Sequence, residues 1–381
     1  MNLGGTEKAL LSLLTTLEHQ PVKITLLLLQ KGGILTNQIP AFVEVRYLEG
    51  FEEIKSVIVD PPYSTIVKKL RNFNFIEAFR FLLLYLKINL TGNWYYNYEA
   101  TLKYMPHFGA YDIALAFAGP SDFISYFVAK KVTAKKKIQW IHFDIEKVIT
   151  NYNFGKKFYP YFDTIFCVSQ SAKDIFLKHF PQFEDKTEVF HNIVSAKEII
   201  KYAEEGTTFT DYYKGSRILT VGRFTKEKGQ HLIPEVVAKL KEEGFDFRWY
   251  LIGDGKQRCT VEQQGIELDL EKSLFFLGVK ENPYPYMRDC DIYVQPSLHE
   301  GYGITVAEAQ VFNKPIVLTN FASAKDLIEN KKTGLICEIS SEAIYSAVKS
   351  LLLNADLRAQ FSINSENVVR EISADIDKLI G

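Results

Sequence analysis

The sequence has few cysteines and no long apolar run. Four cysteines occur in 381 residues, and none forms a C-x-x-C pair. Neither a zinc site nor a disulfide framework is therefore encoded, and we expect a reducing compartment. No apolar run approaches the roughly 20 residues of a membrane span. The opening MNLGGTEKAL has neither region of a signal peptide, so we expect a cytoplasmic protein.

An excess of charge of one sign is also missing. Lysine and arginine total 45 against 46 acidic residues, for a net charge of -1, which argues against a surface built for nucleic acid. Hydrophobic residues make up 47% and charged residues 24% of the chain, as in ordinary folded proteins, so collagen-like, coiled-coil and disordered classes are excluded. No solenoid repeat or low-complexity segment is visible.

What the sequence does contain is an alternation of apolar runs with helix-period stretches. This pattern predicts parallel sheets covered by helices on both faces. The length favours two domains. The predicted strands are Lys23–Leu29, Val43–Leu48, Ile113–Phe117, Lys137–His142, Thr164–Val168, Glu188–Phe190, Arg217–Val221, Arg248–Ile252, Leu274–Leu277, Ile292–Gln295 and Pro315–Leu318.

The polar segment Ser195–Gly215 interrupts this alternation, and we place the junction of two doubly wound domains there. The predicted domains are residues 1–200 and 201–360, followed by a C-terminal helix at 361–381 that packs back on the first domain. Ligands of such sheets bind at the carboxyl ends of the strands, so functional residues are expected in the loops after them.

The first domain opens without the strand that this topology requires. Gly4-Gly5-Thr6-Glu7 leads directly into a predicted amphipathic helix, Lys8–Leu17, whereas a Gly-Gly loop at a helix start normally follows a strand. The first strand is usually central, so its loss leaves two inner strands unpaired. A late start or a truncation explains the pattern better than an adapted domain.

The most informative segment runs from Tyr293 to Ala309, YVQPSLHEGYGITVAEA. A strand leads into Pro-Ser, a turn with two glycines and a helix, and the free amides of a helix start favour an anion. Glu300 and Glu308 bracket this turn. Each glutamate alone more often only stabilises a helix dipole, but in this context we interpret the pair as contacts to hydroxyl groups of a long ligand.

Two further segments end strands with glycine. After Ile218–Val221 come Gly222, Arg223 and Lys228, and arginine and lysine together can neutralise a pyrophosphate. As isolated residues they would be solvated surface charges. The Gly253-Asp254-Gly255 turn is either structural or a ligand loop.

Taken in order, these motifs resemble a known family. Gly4-Gly5-Thr6-Glu7, VGRF…EKG, IGDG, Phe276-Leu277-Gly278, PSLHEGYGITVAEA and Thr333-Gly334-Leu335 are similar to motifs of the retaining, nucleotide-sugar-dependent glycosyltransferases of family 4. The resemblance spans nearly the whole chain and is strongest at residues 216–340. It implies the GT-B fold, with two Rossmann-like domains facing across a cleft.

The resemblance also implies roles for individual residues. Arg223 and Lys228 would hold the donor diphosphate, Glu308 the ribose hydroxyls and Glu300 the donor sugar. The amides of Gly301, Tyr302, Gly303 and Ile304 would bind its phosphate, and the backbone at Gly253 and Gly278–Val279 would lie near the nucleotide. Gly4 and Gly5 would line the opposite wall of the cleft, and His142 would lie close to the transferred sugar. For Gly4 and Gly5 the alternative is a flexible chain start, and for His142 the alternative is a core histidine.

The implied reaction is a front-face displacement that retains the anomeric configuration. Cations and a helix dipole would stabilise the leaving diphosphate electrostatically, so no metal is required. Asp289-Cys290-Asp291 is similar to the metal site of another glycosyltransferase fold, but it immediately precedes a predicted strand, and we do not expect it to bind metal.

Tyr63–Leu90 combines apolar residues at helical spacing with five basic residues and one acidic residue. Such helices can lie on anionic lipid, but we favour a core-packed helix pair because the basic residues do not gather on one face. Lys130, Lys131 and Lys135–Lys137 form a second basic cluster. With a lipid-linked acceptor, both clusters would face the cytoplasmic side of the inner membrane.

The sequence therefore predicts a hexosyltransferase that moves a sugar from a nucleoside diphosphate sugar to a glycan or lipid-linked saccharide, in bacterial surface polysaccharide synthesis. The alternatives are a phosphorylase or hydrolase that uses the same cleft, and a non-catalytic partner subunit of glycosyltransferase type.

Overall fold

The structure is a computed structural model that describes residues 4–52, 54–55, 62–103, 105–148, 152–365 and 376–380. It contains two compact units. The first comprises Met1–Val168 and Ala172–Phe190, and the second comprises Ser169–Ser171 and His191–Gly381. The predicted junction segment, Ser195–Gly215, lies just after this division, whereas the domain limits at residues 200 and 360 and the return of the C-terminal helix to the first domain stay predictions.

Helices and strands alternate through the first part of the chain. In order they are α1 (Gly5–Thr16), β1 (Thr25–Leu28), β2 (Glu44–Tyr47), α2 (Pro62–Arg71), α3 (Phe75–Thr91), α4 (Tyr95–Leu102), β3 (Ala110–Ala116), α5 (Asp122–Lys131), β4 (Thr133–Ile141), α6 (Ile145–Val148), α7 (Asn153–Phe158), β5 (Thr164–Cys167), α8 (Gln170–His179) and β6 (Thr187–Val189). Short 3₁₀ helices cover Leu17–His19, Ile34–Gln38, Tyr159–Tyr161 and Pro181–Lys186.

The strands of the first unit form two separate parallel sheets among the described residues. One pairs β1 with β2, and the other has the order β3-β4-β5-β6. Leu27 and Leu29 nevertheless pack against the same core cluster as Ala114 and Ala116 of β3. Among the described residues, the sheet is thus interrupted between β1 and β3.

The second part of the chain alternates in the same way. Its elements are α9 (Ala196–Glu205), β7 (Ser216–Val221), α10 (Ile233–Glu242), β8 (Phe247–Ile252), α11 (Arg258–Glu267), β9 (Leu274–Gly278), α12 (Tyr284–Asp289), β10 (Ile292–Gln295), α13 (Ile304–Gln310), β11 (Ile316–Thr319), α14 (Ala324–Leu327), β12 (Gly334–Cys337), α15 (Ser341–Leu353), α16 (Ala355–Ser365) and α17 (Ile376–Ile380). Short 3₁₀ helices cover Lys226–Lys228 and Gln230–Leu232.

The second unit has one six-stranded parallel sheet. Its order is β12-β11-β10-β7-β8-β9, so the carboxyl ends of β7, β8, β9 and β10 lie along one edge. Core side chains such as Ile218, Trp249 and Val294 are fully buried, as expected for strands covered on both faces. All eleven predicted strands are present, but β12 was not predicted because four residues that include a glycine give a weak signal.

The helix pair α2–α3 differs from its prediction as a core-packed pair. The two helices pack on each other, and α3 also contacts α4; Thr65 and Ala78 are buried. The outer faces, however, expose many large apolar side chains. No helix within the described ranges is long and apolar enough to cross a bilayer.

Lysines of the second basic cluster make contacts within the first unit, and the orientation of this cluster toward lipid stays a prediction. The ammonium group of Lys131 donates to the carbonyl oxygens of Lys103 and Met105, at 3.5 and 2.7 Å, and that of Lys137 donates to Ala129 at 2.8 Å. Lys135 pairs with Asp112 at 2.7 Å. These lysines therefore serve contacts within the first unit.

Candidate functional site

Most of the predicted site residues follow four neighbouring strands of the second unit. Arg223 and Lys228 come after β7, Gly253 after β8, Val279 after β9 and the segment from Glu300 to Glu308 after β10. Since these strands are parallel neighbours, their loops meet at one edge of the sheet, the usual ligand position in doubly wound folds.

Lys228 and Glu300 contact each other directly. The Lys228 Nζ atom lies 2.7 Å from Glu300 Oε1 and 2.6 Å from Oε2, and the lysine side chain is 19% exposed while that of the glutamate is 6% exposed. Glu300 Oε1 also accepts from Ser297 Oγ at 2.8 Å and from Gln295 Nε2 at 3.4 Å. The loops after β7 and β10 thus form one buried polar cluster with a cation at its edge.

Ser297 and Gln295 also belong to this cluster, and no motif in the sequence predicted them as site residues. Gln295 is fully buried at the end of β10, where its Oε1 accepts from the Tyr293 hydroxyl at 3.0 Å and its Nε2 donates to Ser297 Oγ at 2.9 Å. A glutamine that ends a buried strand is the signal that indicates them, because buried amides require partners.

Backbone contacts hold the two loops together. The amides of Leu298 and His299 donate to the Glu227 carbonyl oxygen at 2.8 and 3.2 Å. Gly229 has φ 71°, and a Cβ atom there would lie 1.8 Å from the Pro296 carbonyl oxygen. Only glycine fits this approach, so the loop that carries Lys228 is fixed against the loop that carries Glu300.

Arg223 lies at the exposed start of the same loop. Its carbonyl oxygen accepts from Gln230 Nε2 at 2.9 Å, while its side chain faces solvent. Burial opposes ionisation of the nearby Glu227, but hydrogen bonds and the charges of Arg223 and Lys228 outweigh it and lower the pKa of the carboxyl group. The two predicted cations therefore act on one region of the loop.

The glycine turn after β8 packs on the turn after β7. The Gly222 amide donates to Ile252, and the Gly253 amide donates to Gly278, both at 2.9 Å. With φ 138°, Gly253 places its missing Cβ 2.0 Å from the Gly222 carbonyl oxygen. The turn glycine thus has a structural role, and nucleotide contacts at Gly253 and at Val279, whose side chain is exposed, stay predictions.

The turn before α13 presents backbone rather than side chains. Tyr302 is buried, and its carbonyl oxygen accepts from Ser323 Oγ at 3.1 Å, while the Gly301 carbonyl oxygen accepts from Ser169 Oγ at 3.3 Å. Gly303 precedes Ile304, the first residue of α13, with φ 101°. The first amides of a helix have no intrahelical acceptor, so their assignment to a phosphate stays a prediction that fits this backbone.

Glu308 is buried inside the second unit. Its Oε1 accepts from the Tyr284 hydroxyl of α12 at 2.9 Å, and burial together with the charge of Glu308 raises the pKa of Tyr284 well above its ordinary value. Tyr284 therefore stays a donor through the physiological range. Sequence reasoning missed this residue, because nothing in the α12 segment indicates that it faces α13.

Three predicted residues belong to the first unit. Gly4 and Gly5 stand at the start of α1, and their place on the wall of the cleft stays a prediction. His142 directly follows β4, is buried, and stacks on Trp140 with ring centroids 5.8 Å apart. Burial lowers the pKa of His142 to about 3, so its ring is neutral at physiological pH, and its place near a sugar stays a prediction.

Both aspartates of the Asp289-Cys290-Asp291 motif contact other protein groups. Asp289 pairs with Arg288 at 2.7 Å, and Asp291 Oδ2 accepts from the Arg217 amide at 2.7 Å. Asp291 thus anchors the segment between α12 and β10, and the expectation that this motif binds no metal stays a prediction.

A match to a known family covers most of this unit. Residues 210–368 match Glycosyl transferases group 1. The chain therefore carries a glycosyl transferases group 1 domain, and every predicted site residue of the second unit lies within it. The first unit lies outside the matched residues.

Individual relatives extend the comparison. The chain is 27% identical over 205 residues to the N-acetylgalactosamine-N,N'-diacetylbacillosaminyl-diphospho-undecaprenol 4-alpha-N-acetylgalactosaminyltransferase of Campylobacter jejuni, covering 53% of this chain and 54% of that one. It is 24% identical over 151 residues to the capsular polysaccharide biosynthesis glycosyltransferase CapM of Staphylococcus aureus, covering 39% and 40%. The chain spans about half the length of the curated relatives it matches.

A solved structure gives the fold of the whole chain. Anabaena Alr3699/HepE in complex with UDP superimposes with a TM-score of 0.67 at 16% identity, covering 99% of this chain and 96% of that one. This likeness, with the two parallel-sheet units, confirms the predicted GT-B fold of Rossmann-like domains.

Proposed function

We propose that this chain is a retaining glycosyltransferase that uses a nucleoside diphosphate sugar as donor. The observation that carries the proposal is the cluster of Lys228, Glu300, Ser297 and Gln295, beside Arg223 and the Gly301–Gly303 turn. Cations beside a backbone turn suit a diphosphate, and a buried acid suits sugar hydroxyls. UDP is bound by the structurally similar Anabaena protein, which supports a nucleotide donor.

Within this proposal, each residue has a chemical task. Negative charge grows on the diphosphate as the bond to the sugar breaks, and Arg223 and Lys228 stabilise that charge electrostatically. Glu300 positions the sugar, and Glu308, held by Tyr284, accepts hydrogen bonds from the ribose hydroxyls. Since the cations already neutralise the leaving group, the reaction requires no metal.

The acceptor that we propose is a glycan or a lipid-linked saccharide, in bacterial surface polysaccharide synthesis. The Campylobacter relative is named for a diphospho-undecaprenol acceptor, and the Staphylococcus relative for capsular polysaccharide biosynthesis. Both names support sugar transfer in the assembly of surface glycans, and the first also supports a hexosyl donor.

A transfer assay tests the proposal. The full chain is incubated with UDP- and GDP-sugars and undecaprenyl-diphosphate saccharides, and the anomeric configuration of the product is read by NMR. We expect transfer with the configuration of the donor kept. An inverted product contradicts retention. Activity that needs free phosphate indicates a phosphorylase, and binding without any turnover indicates a partner subunit.

A further inference from the structure

The helix pair α2–α3 carries most of its apolar side chains on the outside. Large apolar residues with exposed side chains number eleven in this pair, out of 23 among the described residues of the chain; they are Tyr63, Val67, Leu70, Phe73, Phe75, Ile76, Phe79, Leu82, Leu83, Leu86 and Leu90. Monomeric soluble proteins rarely expose a contiguous apolar surface of this kind, and where they do it marks an interaction site.

These side chains form a stripe along α3. Ile76, Phe79, Leu83, Leu86 and Leu90 follow each other at spacings of three and four residues, which place them on one helical face. The buried residues Ala78 and Ile88 occupy the opposite side. The helix therefore has two apolar faces, and only the inner one is covered within the described part of the first unit.

The turn between the helices projects the most exposed aromatic ring of the pair. Phe73 is 82% exposed and has φ 55°, a left-handed conformation that is costly for a residue with a side chain. Its ring contacts that of Phe75 edge-on, at a centroid distance of 6.3 Å. Packing inside the unit gives no reason for an aromatic residue here, whereas insertion into an apolar phase does.

Basic residues accompany the apolar stripe. The pair contains Lys68, Lys69, Arg71, Arg80 and Lys87 against the single acid Glu77, in a chain whose net charge is -1. Arg80 and Lys87 are seven residues apart and lie along one border of the stripe, because an α-helix advances 100° per residue. Arg80 contacts Glu77 at 2.8 Å, and Lys87 lies 3.5 Å from the centroid of the Tyr96 ring.

We propose that the outer face of α2–α3 docks on an anionic lipid bilayer, with α3 in the plane of the interface. Apolar rings and aliphatic chains would enter the acyl region while the long basic side chains reach the headgroups. Charge complementarity favours lipid over a second copy of this chain, since two copies would bring their basic residues together. The proposal does not depend on the sugar-transfer reaction.

Vesicle co-sedimentation of the full chain tests the docking. Equimolar phosphatidylglycerol and phosphatidylcholine vesicles are compared with pure phosphatidylcholine vesicles, without any nucleotide sugar. We expect binding to the anionic vesicles that falls as salt screens the charges. The double variant Phe73→Ser, Ile76→Ser should lower the partition coefficient at least about ten-fold.

A charge variant and two matched controls complete the experiment. Lys68→Glu with Arg71→Glu should also weaken binding at least about ten-fold. Leu353→Ser with Ile363→Ser changes apolar residues of similar exposure, 68% and 65%, and Lys214→Glu with Lys272→Glu changes exposed lysines; both control pairs lie in the second unit and should bind as the unmodified chain does. Far-UV circular dichroism verifies that every variant is folded.

Several results would overturn the proposal. One is a lack of binding to anionic vesicles, and another is an equal loss of vesicle binding in the α2–α3 variants and their controls. The third is a chain that does not bind vesicles but forms a dimer in sedimentation velocity, which the double variant Phe73→Ser, Ile76→Ser abolishes. The last result would assign the surface to a second copy of the chain.

Discussion

At the scale of single residues, the Lys228–Glu300 pair is the centre of the proposed donor site. The Lys228 Nζ atom donates to both carboxylate oxygens of Glu300, at 2.6 to 2.7 Å. Ser297 and Gln295 also donate to this carboxylate. A diphosphate that approaches Lys228 therefore competes with Glu300, and Ser297 and Gln295 still donate to one carboxylate oxygen when the lysine turns to the ligand.

Lys228→Ala tests this arrangement. Loss of the cation should lower kcat for sugar transfer by about 10²–10³-fold, because charge on the leaving group is no longer stabilised. The unpaired Glu300 should cost about 1–3 kcal/mol in the free energy of unfolding, measured by urea titration. Lys349→Ala, which breaks the half-buried pair with Glu243 at 2.7 Å, is the control. A variant that cannot fold would assign Lys228 a structural role instead.

Tyr284→Phe tests the positioning of Glu308. Without the hydroxyl, the carboxylate loses its 2.9 Å donor, and KM for the nucleotide sugar should rise about ten-fold, since a neutral donor to a charged group contributes about 1.5–3 kcal/mol. The kcat value should change much less. Glu308→Ala with full activity would remove the ribose assignment, and an equal effect of Tyr345→Phe, remote in sequence, would make the Tyr284 result unspecific.

His142 gives a prediction about pH. Burial lowers its pKa to about 3 in the folded chain, whereas the pKa of an unfolded histidine is about 6.5. Between these two pKa values, the unfolded chain binds a proton at this histidine and the folded chain does not. Between about pH 6 and pH 4 this histidine should reduce the free energy of unfolding by about 1 kcal/mol for each unit of pH lost.

Comparison with His142→Gln isolates that effect, because burial raises the pKa of Asp122 to about 6 and acts in the opposite direction over the same range. The stability gap between the unmodified chain and the variant, measured by urea titration, should narrow as pH falls. A gap that stays constant from pH 7 to pH 4 would show that the ring titrates normally.

At the scale of elements, glycine turns determine how the strand ends meet. A Cβ atom at Gly229 would lie 1.8 Å from the Pro296 carbonyl oxygen, and one at Gly253 would lie 2.0 Å from the Gly222 carbonyl oxygen. Glycine at these two positions therefore lets the loops after β7, β8 and β10 pack closely together. Backbone packing therefore determines the positions of the loops that carry the site's side chains.

Gly229→Ala should separate the loops that carry Lys228 and Glu300. The added methyl group would collide with the Pro296 carbonyl oxygen, while Gly244→Ala has a similar φ of 79° and nothing within 4 Å of its Cβ. Both variants pay for the left-handed conformation, about 1 kcal/mol, but only Gly229→Ala should lose more stability in thermal unfolding and also weaken nucleotide binding. Equal losses would mean that the contact with Pro296 is not decisive.

Much of this level was predictable from the sequence. Non-alternating apolar runs predict buried parallel strands. The strand-glycine-cation order predicts the loop after β7, and the two-glycine turn between Glu300 and Glu308 predicts the loop after β10. The α2–α3 pair was not predicted correctly, because spacing shows that a helix has an apolar face but not whether that face is covered. Gln295, Ser297 and Tyr284 escaped prediction since their contacts join residues that only the folded chain brings together.

At the scale of the whole molecule, the family match and the exposed helix face lie in different units. The family match covers residues 210–368, and the buried polar cluster lies within it. The first unit has an interrupted sheet and the exposed α2–α3 face. We therefore propose that the donor site lies in the second unit and that the first unit faces the acceptor and the bilayer.

The most direct test of the donor site is titration calorimetry of the full chain with UDP, GDP and their sugars. At least one should bind saturably, and at 100 times its dissociation constant should stabilise the fold by about 2.7 kcal/mol. Lys228→Ala should weaken this binding, and Lys349→Ala should not. If no nucleoside diphosphate binds, or if Lys228→Ala and Glu308→Ala bind as tightly as the unmodified chain, the account of the second unit as a nucleotide-sugar site is contradicted.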